Sequence, residues 1–253
     1  MSALPQPVPT LRVVHHAQHK VGAVVIGGDY QGLGIVRSLG RQGIPVCVVD
    51  DERSISRYSR YSKLFVHSPD LHNERKVVDS LLEIGNHRGL NGWVLYPTRE
   101  ELVAALSHNR SELSEVFRVP TPAWDSVKWA WDKRNTYHLA KDLGIPTPVT
   151  RYAQNLGQLA DLDTLEPPFA VKPAIKEHFF YAAKAKAWRA DNLVQLRTLY
   201  EKALELIDPA EIMVQEVIPG GETQQFSYCA FFRDGHAIGK MVVQRRCQHP
   251  LEY

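Results

Sequence analysis

The 253-residue chain has few cysteines and no long apolar run. Its three cysteines, Cys47, Cys229 and Cys247, lie far apart and form no CxxC pair, so the usual spacing of a zinc site or a redox dithiol is missing. Unpaired thiols are typical of reducing compartments, which predicts a cytoplasmic protein. No segment has the apolar length of a signal-peptide core or a membrane span, so a membrane is not an expected partner.

The chain also lacks a strong charge of either sign. It has 30 basic and 28 acidic residues, and its net charge is +2. A nucleic-acid-binding domain usually concentrates basic residues in a patch, so nucleic acid is not an expected partner and small molecules are. The apolar content of 44% is ordinary for a globular protein of one or two domains. Residues 1–20 are rich in proline and histidine, which predicts a disordered tail.

Residues 21–120 alternate short apolar strands with helical segments. A strand at 21–26 is followed by a glycine-rich turn, a helix through Leu39 and a second strand at 45–49. A helix at 74–84 and a strand at 93–96 continue the alternation. Strand, crossover helix and strand favour a parallel sheet, so this region is predicted to be a doubly wound, Rossmann-like α/β domain.

The glycine turn, GGDYQGLG, allows an alternative function. Asp50 lies about 20 residues after it, where a dinucleotide-binding protein holds a ribose. The glycines at 27, 28, 32 and 34 never give G-x-G-x-x-G in register, however. They could instead let the helix pack closely on the sheet, or place helix N–H groups near a substrate anion. A nucleotide-dependent oxidoreductase is therefore the first alternative.

Prolines and tryptophans near residue 120 indicate a domain boundary, and residues 121–253 are predicted to form a second, α+β domain. Helices are predicted at 132–143 and 191–206, the second capped by Asp191. Strands are predicted at 149–152, 169–172, 185–188, 212–215, 226–232 and 237–244. Asp234-Gly235 is typical of a hairpin turn between the last two strands.

The stretch at 212–222, IMVQEVIPGGE, has the pattern expected of a nucleotide-binding edge. A strand that ends beside a turn can present backbone groups to a purine, and Glu222 could accept hydrogen bonds from ribose hydroxyls. Two lysines precede it, Lys133 in WDKRNTYHLAKDLGIPTP and Lys172 in PFAVKPA. An apolar strand has little reason to carry a lysine unless an anion meets it.

This order of motifs resembles the ATP-grasp superfamily, specifically carboxylate–amine ligases related to carbamoyl-phosphate synthase and D-aspartate ligase. The resemblance implies a Rossmann-like pre-ATP-grasp domain followed by an ATP-grasp domain. It also implies ATP and Mg²⁺ as cofactors and small-molecule carboxylate and amine substrates, joined through an acyl phosphate. Homodimers are common in the superfamily, so a homodimer is one expectation. The second alternative is a non-catalytic ATP-binding module.

The resemblance assigns individual residues to the nucleotide. Lys133 and Lys172 would contact the phosphates, and Glu222 the ribose. Gln215 would meet the adenine amino group through its amide, where many relatives have a carboxylate. The backbone of Glu216 and Ile218 would read the adenine edge.

Cations further along the chain are also candidates. The segment 173–186 occupies the place of the phosphate-covering loop but lacks glycine, so Lys184 and Lys186, on a strand beside the site, could supply side-chain charge instead. Arg245 and Arg246 resemble arginines that contact the transferred phosphate or the substrate carboxylate, and they are the predicted catalytic residues.

The metal ligands of the resembled enzymes lie well after the strand that contacts the adenine, which corresponds to 215–218 here. Here only Asp234 and Glu252 remain as acidic residues after Glu222. The sequence is therefore interpreted as a ligase truncated at its C-terminus, with Mg²⁺ ligands expected beyond residue 253. Such a chain is expected to bind ATP weakly and to be inactive alone.

Overall fold

The computed structural model describes residues 21–161, 165–220 and 222–247. The predicted tail at 1–20 lies outside these residues. The chain divides into two compact units, Met1–Pro122 and Ala123–Tyr253, and each is described by itself. Among the described residues, no helix combines the length and the apolar character that are needed to cross a membrane.

The first unit is a parallel sheet flanked by helices. Its strands are β1 Ala23–Ile26, β2 Val46–Asp50, β3 Ser62–His67 and β4 Val94–Pro97. Its helices are α1 Tyr30–Arg41, α2 Glu74–Arg88, α3 Glu100–His108 and α4 Arg110–Ser114. The strand order is β3-β2-β1-β4, and all three pairings are parallel.

Alternation along the strands places apolar side chains on both faces of this sheet. On one face Val24 packs in a core with Leu81 of α2, and on the other Val25 packs with Val36 of α1. Helices therefore cover both faces, which confirms the predicted doubly wound α/β fold. The edge strand β3, whose residues are all partly or fully exposed, was not predicted.

The second unit contains an antiparallel sheet of order β5-β8-β6-β7. Its strands are β5 Thr150–Arg151, β6 Phe169–Pro173, β7 Trp188–Ala190 and β8 Ile212–Glu216. Its helices are α5 Trp124–Trp131, α6 Lys133–Asp142, α7 Lys176–Ala183 and α8 Leu193–Leu204. Phe169, Val171 and Val214 pack in one core with Tyr200 of α8. Because side chains alternate along a strand, Lys172 and Gln215 lie on the other face.

Two predicted elements of this unit are wrong in position. The strand predicted at 185–188 is β7 at Trp188–Ala190, because the residues before it form α7. The second helix begins later than predicted and is capped by Asn192, whose side chain accepts a hydrogen bond from the Gln195 amide at 2.9 Å. Asp191 instead pairs with Arg189 at 2.7 Å.

The predicted hairpin is confirmed. Strands β9 Phe226–Arg233 and β10 His236–Gln244 pair antiparallel. The turn residues Asp234 and Gly235 both have positive φ, 52° and 76°, which an Asp-Gly pair adopts readily. Every residue of both strands is exposed.

Candidate functional site

Lys172 is the centre of a polar cluster on the face of the second sheet opposite its core. Its ammonium donates to the Tyr137 hydroxyl at 2.9 Å and to Gln215 Oε1 at 2.6 Å. The Gln215 amide nitrogen in turn donates to Thr150 Oγ1 at 2.7 Å. The cluster therefore joins α6, β6, β8 and β5 around one lysine.

The charge of Lys172 is not cancelled by its neighbours. Both oxygen acceptors are neutral, and among the described residues no carboxylate lies within ion-pairing distance of Lys172. The positive charge of Lys172 affects the pKa of Tyr137. Burial raises the pKa of this phenol, but the hydrogen bonds of Gln215 and Lys172 and the lysine charge outweigh burial and hold the pKa below its usual value. A half-buried ammonium with neutral partners is suited to an anionic ligand.

Lys133 contacts the residue that follows β6, so it lies at the C-terminal end of this strand, as Lys172 does. It is the first residue of α6, and both its backbone N–H and its Nζ donate to the Ala174 carbonyl, at 3.1 and 3.3 Å. Asp132 caps this helix by accepting from the Arg134 amide at 2.9 Å. Burial raises the pKa of Asp132, but the hydrogen bonds and charge of Arg134 outweigh burial and lower it overall. The structure thus brings Lys133 and Lys172 to one strand end, as their assignment to a single phosphate site requires.

The three residues assigned to the adenine, Gln215, Glu216 and Ile218, differ in how far their polar groups are already hydrogen-bonded within the protein. Gln215 is 5% exposed and its amide is engaged by Lys172 and Thr150. The N–H of Glu216 donates to the Val149 carbonyl at 3.0 Å, and its carboxylate accepts from the Val149 amide at 2.8 Å. The Glu216 N–H is thereby committed to the sheet. Ile218, just past the strand, is 58% exposed.

The predicted covering loop is a helix. The sequence KEHFFYAA contains no glycine or proline, and Phe179 is buried edge-on against Trp188 with ring centroids 4.6 Å apart. Lys184 caps the end of α7 in a left-handed conformation (φ 53°), and Lys186 is exposed before β7. Their expected placement on a strand is therefore wrong. The side chain of Glu222 lies outside the described part of the structure.

The predicted catalytic arginines lie at the end of the hairpin. Arg245 bonds back to Gln225, through its amide at 2.8 Å and its guanidinium at 2.5 Å. Arg246 is exposed.

Tyr137 and Thr150 are members of the cluster that the sequence did not predict. The signal for Tyr137 is its position on α6 four residues after Lys133, which places both on one helix face. Between α6 and β5 lies a groove of about 810 Å³. Its lining residues are basic, aromatic, apolar or neutral polar, and none is a carboxylate: Arg134, Asn135, Tyr137, His138, Lys141, Gly144, Ile145, Pro146, Thr147, Pro148, Val149, Thr150, Arg151 and Tyr152.

The glycine turn of the first unit has a packing role. The Gly28 amide donates to Asp50 Oδ2 at 2.6 Å, and the other Asp50 oxygen accepts from the Asp51 amide at 2.9 Å. Asp50 is fully buried, so it is not presented to a ribose. A Cβ on Gly32 would lie 2.2 Å from the Gly27 carbonyl oxygen, which shows how closely α1 approaches the turn. Asp29 already accepts from the first amides of α1.

Metal ligands do not cluster in the part of the chain that the structure describes. There, no group of three or more histidine, cysteine, aspartate or glutamate side chains is arranged so that it could hold a metal ion.

The fold of this chain is similar to part of several solved ATP-grasp enzymes. The L-amino acid ligase from Bacillus licheniformis superposes with a TM-score of 0.59 at 17% identity, covering 79% of this chain and 45% of that one. An N5-carboxyaminoimidazole ribonucleotide synthetase in complex with ADP superposes with a TM-score of 0.62 at 13% identity, covering 88% and 52%. The biotin carboxylase domain of the Hydrogenobacter thermophilus 2-oxoglutarate carboxylase, a dimer with MgADP and bicarbonate, gives 0.57 at 15%, covering 78% and 44%.

This chain spans about half the length of these structures. No family model matches the sequence, and no curated protein matches it. The resemblance to ATP-grasp ligases seen in the sequence is thus supported at the level of the fold.

Proposed function

We propose that the second unit binds ATP, with its phosphates at Lys172 and Lys133 and its adenine beside the end of β8. The observation that carries this proposal is Lys172, an ammonium held by two neutral oxygens on an otherwise apolar strand. A triphosphate would supply the missing negative charge. Glu222, a few residues beyond β8, is the proposed ribose ligand.

We further propose that the whole protein is a carboxylate–amine ligase. A carboxylate oxygen attacks the γ-phosphorus of ATP, ADP leaves, and an acyl phosphate forms. An amine nitrogen then attacks the acyl carbon, phosphate leaves, and an amide-type bond results. The contribution of Lys172 and Lys133 is to hold the phosphates in place and to offset their charge as a second anion, the carboxylate, approaches. Arg245 and Arg246 remain proposed contacts of the transferred phosphate or the carboxylate.

Mg²⁺ belongs to this proposal because phosphoryl transfer from ATP requires a cation that bridges the phosphates. The described residues fit such an ion poorly, since no group of three or more acidic, histidine or cysteine side chains among them could hold a metal ion. Small-molecule acid and amine substrates, a homodimer and a cytoplasmic location complete the proposal; several of the structural neighbours carry bound ADP, and one is a dimer.

The test is nucleotide affinity in a Lys172→Met variant, measured by titration calorimetry with MgATP into the millimolar range. Methionine keeps most of the side-chain volume and removes the charge. Loss of a charge-assisted contact of about 1.5–3 kcal/mol predicts an affinity at least about tenfold lower.

The matched control is Lys202→Met. Lys202 is exposed on α8, where its ammonium lies 4.8 Å from the centre of the Trp188 ring on the core face of the sheet. It should leave ATP affinity unchanged. Equal effects of the two substitutions on a folded protein would show that Lys172 is an ordinary surface lysine.

A further inference from the structure

The two protein partners of Lys172 lie on different elements, and both are uncharged hydrogen-bond acceptors. The Tyr137 hydroxyl on α6 and Gln215 Oε1 on β8 both accept from its ammonium, at 2.9 and 2.6 Å. An ammonium has three N–H donors, so one remains for a ligand. Both partners orient the lysine, and neither carries a charge that would compete with an anion.

The orientation of the Gln215 amide is set by further hydrogen bonds. Its nitrogen donates to Thr150 Oγ1 at 2.7 Å, and the Thr150 hydroxyl donates to the Pro148 carbonyl at 2.9 Å. Because the Thr150 proton is used by Pro148, its oxygen must act as acceptor toward Gln215. The amide oxygen is thereby turned toward Lys172.

We infer that Tyr137 and Gln215 form a neutral clamp that positions Lys172 for a polyphosphate ligand without cancelling its charge. The inference rests on the proposed function and adds Tyr137 to it as a positioning residue. The same helix that begins with Lys133 carries Tyr137 one turn later, so α6 provides one phosphate-binding lysine and orients the other.

The contribution of Gln215 can be removed without adding a charge. Leucine has nearly the size of glutamine but accepts no hydrogen bond, so Gln215→Leu would take away one of the two contacts that orient the Lys172 ammonium. Gln215→Leu is therefore expected to weaken anion binding.

Tyr137 also provides a signal of what Lys172 binds. Its pKa is held below the usual value by its polar neighbours and the charge of Lys172, against the opposing effect of burial. A polyphosphate on Lys172 adds negative charge nearby and should raise this pKa. At a fixed alkaline pH the tyrosinate absorbance of Tyr137 should fall when ligand is added. Subtracting the spectrum of Tyr137→Phe isolates this one phenol among ten tyrosines.

The experiment uses two probes, inorganic tripolyphosphate and MgATP, on the full chain and its variants. Tyr137→Phe should bind both probes about 3- to 10-fold more weakly, as expected for one lost orienting hydrogen bond. Gln215→Leu should weaken binding of both probes by a similar factor. Tyr228→Phe, an exposed tyrosine of the hairpin, is the control and should bind as the unaltered chain does.

The outcomes separate the clamp from the proposed function. Unchanged affinity in both Tyr137→Phe and Gln215→Leu, with MgATP still bound, overturns the clamp and leaves the nucleotide site in place. Tripolyphosphate binding that falls in both variants, with MgATP bound no better than tripolyphosphate, supports the clamp and overturns the ATP proposal. If neither probe binds and neither changes the tyrosinate absorbance, both the clamp and the ATP proposal are overturned. If Gln215→Leu does not fold, the affinity of Tyr137→Phe and the tyrosinate absorbance decide.

Discussion

At the scale of single residues, burial gives Cys47 a measurable effect on stability. It lies on β2, fully buried in the first unit, and burial raises the pKa of its thiol to about 12, with a small opposing effect from the charge of Arg88. An unfolded chain would release this proton near the ordinary value of 9.0. Because the folded pKa is raised, the associated stability is fully present below pH 9 and is lost as pH rises toward 12.

We therefore predict that the free energy of unfolding of the first unit falls by up to about 1.4 kcal/mol per pH unit above pH 9 through Cys47. Cys47→Ala should be less stable at neutral pH, because it leaves a cavity, but should fall less steeply with pH. Urea denaturation of both proteins from pH 8 to 10.5 measures the two slopes. Parallel profiles would show that Cys47 does not titrate differently on unfolding.

Residue roles could be predicted from the sequence only where the chain itself carries the signal. Lys172 is unusual because it interrupts an apolar strand, and Lys133 stands at the start of a helix beside it in the motif order. Tyr137 and Thr150 became visible only with the structure, because their partners lie 35 and 65 residues away and depend on strand register.

At the scale of elements, two of the three glycines of α1, Gly32 and Gly34, have opposite packing requirements. A Cβ on Gly32 would meet the Gly27 carbonyl oxygen at 2.2 Å, a backbone atom that cannot move aside cheaply. A Cβ on Gly34 would have nothing within 4 Å. The close approach of α1 to the glycine turn therefore depends on Gly32 and not on Gly34.

We predict that alanine substitutions at these two glycines change the stability of the first unit in opposite directions. Gly34→Ala should stabilise the first unit by up to about 1 kcal/mol, the gain in helix propensity. Gly32→Ala should destabilise it by about 1–3 kcal/mol, because the clash outweighs that gain. Thermal unfolding of the two variants checks this. If Gly32→Ala proves as stable as Gly34→Ala, the packing explanation for the glycine turn is wrong.

Elements with strong local signals were predicted well, such as β1, β2 and the Asp-Gly hairpin. Two others were not. The edge strand β3 has no fully buried residue. Its sequence, SKLFVH, therefore lacks the continuous apolar run that marks β1 and β2 as buried strands. The motif order predicts a loop where α7 lies. The local sequence has no glycine or proline and favours the helix that is present.

At the scale of the whole molecule, the fold could be anticipated because strand–helix alternation and motif order point the same way. The substrates could not, since acceptor pockets are built from side chains scattered over several loops. The structural neighbours leave this open as well, because at 13–17% identity they establish the fold alone.

The central claim is that the nucleotide binds in the second unit, at Lys172. It is tested most directly by a crystal structure of the chain with a non-hydrolysable ATP analogue and Mg²⁺. The account predicts phosphate oxygens within hydrogen-bonding distance of Lys172 and Lys133 Nζ, with the adenine beside Ile218. An analogue bound instead at the glycine turn of the first unit, or at a site that leaves Lys172 bonded only to Tyr137 and Gln215, would contradict it.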